Sequence, residues 1–337
     1  MLRAKLIDKR LVAEKVIATD RSRCLKMRFH GNSCTRCTAV CRSAAITINE
    51  DVLINADDCS ECMLCVAACP ADCFTVPGED FYSVIGRLQK AHLSLPLPVL
   101  GCRTREDTVG HAKIHCFGSL SEVHLIALAA FLEDGLQLDV TGCADCQNGF
   151  ILKALKERIA GAEAGTSLDI YNRLKLIDNK FELDFREPPC DRRGFFNVLK
   201  VMTLKQAAEL FDKDHSGTET PSYSAKKVPF KRELLNRTLK TMPEVPQRLS
   251  LENFYYSVQV EDGCYNCFSC IGMCPTGALK IEEKEGARSL FFSTSLCSGC
   301  GLCASFCPKG YISIEKGFFG TNPFKFSNAK REISCMN

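Results

Sequence analysis

The sequence predicts an α+β protein in which two small cysteine-rich modules flank a compact parallel α/β unit. Three observations carry that expectation. Four runs of closely spaced cysteines fall in two pairs, at roughly 20–80 and 255–320. Each run is followed by a short β-prone stretch: "AITI" at 45–48, "FTV" at 74–76, "ALKI" at 278–281 and "YISI" at 311–314. Between the pairs, strand-like apolar stretches alternate with helix-like ones, the pattern of a parallel sheet with crossover helices.

The elements follow in order. In the N-terminal module, 20–80, the runs are joined by "ITINEDVLI", apolar residues around a charged turn and therefore a hairpin. In the α/β unit, 81–184, "LPLPVLGC", "KIHCFG" and "LQLDVTGC" read as short buried strands. "SLSEVHLIALAAFLEDG" reads as a helix opened by a capping box of Ser119 and Glu122 and stopped at Gly135. "NGFILKALKERIAGAEAG" reads as a second, with Phe150, Ile151, Ala154, Leu155 and Ile159 on one face. A polar, proline-rich linker, 185–254, contains one amphipathic helix, "PFKRELLNRTLKTM". The C-terminal module, 255–320, has its own hairpin, "LKIEEKEGARSLFFS", and a tail follows at 321–337.

Composition narrows the function. A chain of 337 residues with 46% hydrophobic content can build two or three domains. The net charge of +3 argues for neither nucleic acid nor a membrane surface as partner. The 23 cysteines are the departure. In a short secreted chain they would read as a disulfide framework; here the opening "MLRAKLIDKRLVAEKV" has no signal-peptide apolar core, and bunched cysteines read as metal ligands. The longest apolar run, "LIALAAFL" at 125–132, is far short of a bilayer span. A cytoplasmic, anaerobic or microaerobic setting is expected, because exposed thiolate-bound metal centres tolerate oxygen poorly.

Three runs are complete: "CSECMLCVAACP" from Cys59, "CYNCFSCIGMCP" from Cys264 and "CSGCGLCASFCP" from Cys297. The spacing C-x2-C-x2-C-x3-C-P resembles that of bacterial-type dicluster ferredoxins and polyferredoxins. The resemblance implies that three thiolates hold one [4Fe-4S] cluster and the cysteine before proline crosses to the other, which accounts for the pairing of runs. In the C-terminal module one cluster takes Cys264, Cys267, Cys270 and Cys307, and the other Cys297, Cys300, Cys303 and Cys274. In the N-terminal module Cys59, Cys62, Cys65 and Cys41 make one set. The other has Cys34, Cys37 and Cys69, with Gly31 where its first cysteine should be. Three explanations compete: Cys24 folds back, the centre is a three-iron one, or His30 ligates. We take Cys24. Cys73 aligns with Ala278 and is expected to be a small buried hydrophobe.

Four further cysteines, Cys102, Cys116, Cys143 and Cys146, fall at strand ends and at a helix start, the carboxyl edge where open α/β sheets bind ligands. They are expected to hold a fifth cluster. The stretch from Ile114 to Cys146 resembles the delta subunit of methyl-viologen-reducing hydrogenases, a 2Fe–2S carrier to heterodisulfide reductase-type flavoproteins. Whether the cluster is 2Fe–2S or 4Fe–4S stays open. The expected function is an iron–sulfur electron-transfer subunit of a larger redox complex. Its expected partners are a heterodisulfide reductase-like flavoprotein, a hydrogenase, or a molybdenum or tungsten oxidoreductase. The competing class is a reductase with a substrate-facing redox site in the middle unit; a third is a scaffold whose clusters only staple small domains. "DKDHSGTE" at 212–219 opens like a calcium loop but has Tyr223 at its twelfth position, so calcium is not expected. Cys190 and Cys335 read as free thiols. The basic "KKVPFKRELLNRTLK" reads as a solvated helix face or, less simply, a docking surface.

Overall fold

Residues 16–187, 223–284 and 286–330 are described by the computed structural model. Cys190, Cys335 and the calcium-like stretch lie outside them. In the N-terminal region β1 (Ala18–Thr19) leads to α1 (Leu25–Arg28) and α2 (Arg36–Val40). The expected hairpin is present as β2 (Ile46–Ile48) and β3 (Val52–Ile54), paired Ile46 to Ile54. Next come α3 (Leu64–Ala68) and β4 (Phe74–Thr75), which returns antiparallel to β1.

After α4 (Phe81–His92) the chain enters a parallel sheet of β5 (Val99–Cys102), β6 (Ala112–Ile114), β7 (Leu136–Asp139) and β8 (Leu174–Ile177), in the order β6-β5-β7-β8. Helices α5 (Glu122–Phe131), α6 (Ile151–Thr166) and α7 (Ile170–Arg173) make the crossovers. The sheet is buried on both faces: every residue of β5 and β7 is buried, Gln137 and Asp139 included. The mixture of helices with this sheet is an α+β architecture.

One expected cap is corrected. Ser121, not Ser119, caps α5, and its partner is His124 rather than Glu122. The His124 Nδ1 accepts from the Ser121 backbone N–H at 3.2 Å, while Ser119 sits in a preceding 3-10 turn with its hydroxyl on the Cys116 carbonyl at 2.9 Å. An imidazole nitrogen fills the acceptor role that the capping-box pattern gives to Glu or Gln.

The described end of the stretch read as a linker holds two helices where one is expected, α8 (Phe230–Leu239) and α9 (Glu244–Phe254). The C-terminal region holds β9 (Tyr256–Val260), α10 (Ser269–Met273), the hairpin β10 (Leu279–Lys284) with β11 (Ala287–Phe292), α11 (Leu302–Ser305) and β12 (Ile312–Lys316). β12 pairs antiparallel with β9. The stretch read as a tail contributes β13 (Ser327–Asn328), paired to β11. One apolar core runs through the N-terminal region, the parallel sheet and α8–α9; the C-terminal region has a smaller core of its own. Among the described residues no helix is long and apolar enough to cross a membrane.

Candidate metal centres

Each cysteine run makes an open loop followed by one helical turn, so its thiols face inward from several sides. The loops need left-handed backbone: Glu61, Met63, Asn266 and Phe268 have φ of 56°, 61°, 58° and 58°, while Gly299 and Gly301 stand at the matching places of the last run. The result is a set of cavities. One of about 370 Å³ is lined by Cys41, Cys59, Cys62 and Cys65 with Ile17, Ile46, Ile54 and Met63. One of about 380 Å³ is lined by Cys264, Cys267, Cys270 and Cys307, and one of about 290 Å³ by Cys274, Cys297, Cys300 and Cys303. These are the groupings expected from the crossing-cysteine rule. Four thiols around an apolar cavity suit a multi-iron cluster, in which each iron takes one thiolate. A single ion would instead draw its sulfurs to about 2.3 Å of one point. Among the described residues no three His, Cys, Asp or Glu side chains close up in that way.

Burial raises the thiols that line these cavities. Cys65 and Cys297 are pushed up to about 12, and Cys270 to about 11. Iron must therefore displace protons when it binds.

In the set centred on Gly31, burial raises Cys37 to about 11, and the charges of Cys69, Cys24 and Cys34 add to it, so the four sulfurs are neighbours. A Cβ at position 31 would lie 2.6 Å from the tip of the Phe29 ring, so that ring would have to shift to admit a side chain there. His30 is exposed. Cys24 is buried, at the mouth of α1. Cys73 does more than fill space. Its thiol donates to Cys24, lowering Cys24 to about 6, and its amide donates to the Cys69 sulfur at 3.3 Å. The return of β4 to β1 brings it there, with the Asp20 amide on the Cys73 carbonyl at 2.8 Å. Two strands of two residues each carry no periodicity, so sequence reading missed this fifth thiol.

The four middle cysteines also converge. Cys116 donates to Cys102, which lowers Cys102 to about 6, and Thr104 Oγ1 lies 2.8 Å from the Cys102 sulfur. Cys143 is raised to about 12 by burial, with Cys102 and Cys146 adding to it. Cys146 is not at a helix start as expected; it lies in turns before α6, its sulfur accepting from the Asn148 amide at 3.4 Å. The second run of the N-terminal region lies against this edge, leaving a cleft beside Cys146: Asn148 Nδ2 donates to the Ser60 carbonyl at 2.7 Å, and His115 Nε2 pairs with Glu61 at 3.2 Å. Cys62 contributes to the rise of Cys116.

The sites follow one another through the molecule. Cys37 contributes to the rise of Cys65, and Cys270 to that of Cys303. Between the two ends stands Arg28, whose charge feels both Cys300 and Cys274, beside an edge-to-face contact of Phe29 with Phe306 at 5.3 Å. Within the basic stretch 226–240, Arg232 is packed into this joint, 7% exposed and stacked over Tyr255 at 4.6 Å, while Lys226 and Lys240 remain exposed.

Residues 263–311 match the family of 4Fe-4S dicluster domains. That stretch is a ferredoxin-like iron–sulfur module, and the match indicates [4Fe-4S] clusters there. No curated protein and no solved structure matches the chain.

Proposed function

We propose that the chain is a polyferredoxin-like subunit of a larger redox complex. Four [4Fe-4S] clusters and a fifth cluster in the middle unit pass electrons between partner oxidoreductases, of the flavoprotein, hydrogenase or molybdenum/tungsten kinds. The single observation that supports it best is the set of cavities each lined by four cysteines, three from one run and one from its partner run. The ligand sets are those given above, with Cys24 completing the one beside Gly31. When bound, the clusters supply one-electron couples. The chain supplies insulation by apolar side chains and N–H donors to sulfur, such as Gly299 to Cys297 at 3.4 Å, which make reduction easier.

One feature favours the competing reading of a reductase with a substrate-facing site. An open cleft of about 720 Å³ beside Cys146 is lined by polar groups, among them Arg105, His115 and Glu61. Anaerobic iron and sulfide assays on the full chain test the relay. The expected content is roughly 16 irons for four cubanes plus those of the fifth centre. The Cys143→Ser/Cys146→Ser double variant should lose only that fifth complement. About 8 irons in the wild type would leave only the C-terminal module. Turnover of a small molecule by the isolated chain, lost in the double variant, would favour the reductase.

A further inference from the structure

Lys226 and Lys231 come from one short segment, yet each serves a different module in the same way. The Lys231 ammonium donates to the carbonyls of Val66 at 2.8 Å, Ala67 at 3.3 Å and Cys69 at 2.5 Å. The Lys226 ammonium donates to those of Ile271 at 3.0 Å, Gly272 at 2.8 Å and Cys274 at 2.7 Å. These carbonyls are equivalent residue for residue when the second and third runs are aligned. They end the turns that carry Cys69 and Cys274, the crossing cysteines of one site in each module, and Arg28 lies near the second of these.

The equivalence breaks at one position. Asp72, three residues after Cys69, pairs with Lys231 at 2.8 Å, both side chains being 12% exposed, and also accepts from the Lys231 amide at 3.2 Å. Its counterpart after Cys274 is Gly277. Both have positive φ, 51° and 73°, so the backbone is the same and the carboxylate is the difference. Among the described residues Lys226 has no ion pair. One site therefore faces a neutral buried pair, and the other an uncompensated ammonium together with Arg28.

Adding an electron to a cluster adds a negative charge, which a nearby cation favours and a carboxylate opposes, with little screening in a buried site. We propose that Asp72 sets the two sites apart in reduction potential, making the cluster held through Cys274 easier to reduce than the one held through Cys69. Electrons supplied in limited number collect on the C-terminal side. This rests on the reading of both sites as cluster sites.

The test is an EPR-monitored redox titration of the anaerobically loaded full-length chain. Asp72→Asn keeps an acceptor for the Lys231 amide and removes the charge. At the wild-type midpoint it should raise the reduced-to-oxidised ratio of the N-terminal cluster roughly tenfold, a shift of about 59 mV for one electron. Gly277→Asp, in a backbone conformation Asp72 already adopts, should lower the potential of the Cys274 cluster, by less because Lys226 is more exposed. Gly277→Asn should leave it alone, and Lys226→Met should lower it. A merely structural pair would change thermal stability and leave the midpoints in place; unmoved midpoints at full iron content overturn the proposal alone. Absence of N-terminal clusters in the wild type overturns it together with the reading beneath it.

Discussion

The Cys24 sulfur accepts from the Cys73 thiol and is faced by the amides of Met27 and Lys26, with the Lys26 ammonium nearby. These donors outweigh the burial that opposes ionisation and favour a thiolate, the species that binds iron. Cys73 is the donor of the pair, and its own thiol is raised. Cys24→Ala should accordingly convert one cubane to a three-iron centre, visible as a new EPR signal in the oxidised protein, while Cys73→Ala should leave the cubane intact. The opposite pattern would make Cys73 the fourth ligand.

Helix α5 is apolar on almost every side, and its one buried titratable group is His124. Burial depresses this imidazole from 6.5 to about 3, and Phe81 lies edge-on at 4.5 Å. The fold keeps the ring neutral so that it accepts from Ser121. Unfolding frees it to take a proton. A depressed pKa contributes stability that is present above pH 6.5 and lost as pH falls toward 3. His124→Gln retains an acceptor but loses ring packing, at a cost of about 1–3 kcal/mol near neutrality. Thermal unfolding of wild type and variant in parallel should show that gap closing by up to about 1.4 kcal/mol per pH unit below 6.5. A constant gap would mean that His124 is not the group responsible.

At the scale of the molecule, the decisive contact is the seam between the parallel sheet and the N-terminal region. Gly118 lies so close to the Cys62 carbonyl that a Cβ there would collide with it, and Arg158 holds the same turn through the carbonyls of Gly118 at 3.0 Å and Leu120 at 2.8 Å. The colliding atom is backbone, so it cannot swing away. Gly118→Ala should destabilise the chain by about 1–3 kcal/mol and alter the EPR signal of the cluster held by Cys62, leaving the C-terminal signals unchanged. Thermal unfolding with EPR on the same sample checks this, and an unaffected Cys62 signal would show that the seam yields without disturbing the site. The joint on the other side is made by charged groups and rings: Arg28, the Phe29 and Phe306 pair, and the two lysines before and at the start of α8.

Local spacing by itself determined the paired cysteine runs, the two hairpins and the parallel sheet, because each depends on residues a few positions apart or on periodic burial. It also singled out Gly31 as a gap. Tertiary structure alone decided what distant chain segments do to one another. β1 with β4, and β9 with β12, pair across some 55 residues, a separation over which β-prone local sequence does not name its partner. That pairing brings Cys73 to Cys24. The basic stretch at 226–231 looked like solvent-facing charge; its ammoniums in fact end on the carbonyls of two separate modules. Charge in a sequence has no partner until the chain closes, and a buried carboxylate such as Asp72 takes its meaning from the lysine 159 residues away that meets it.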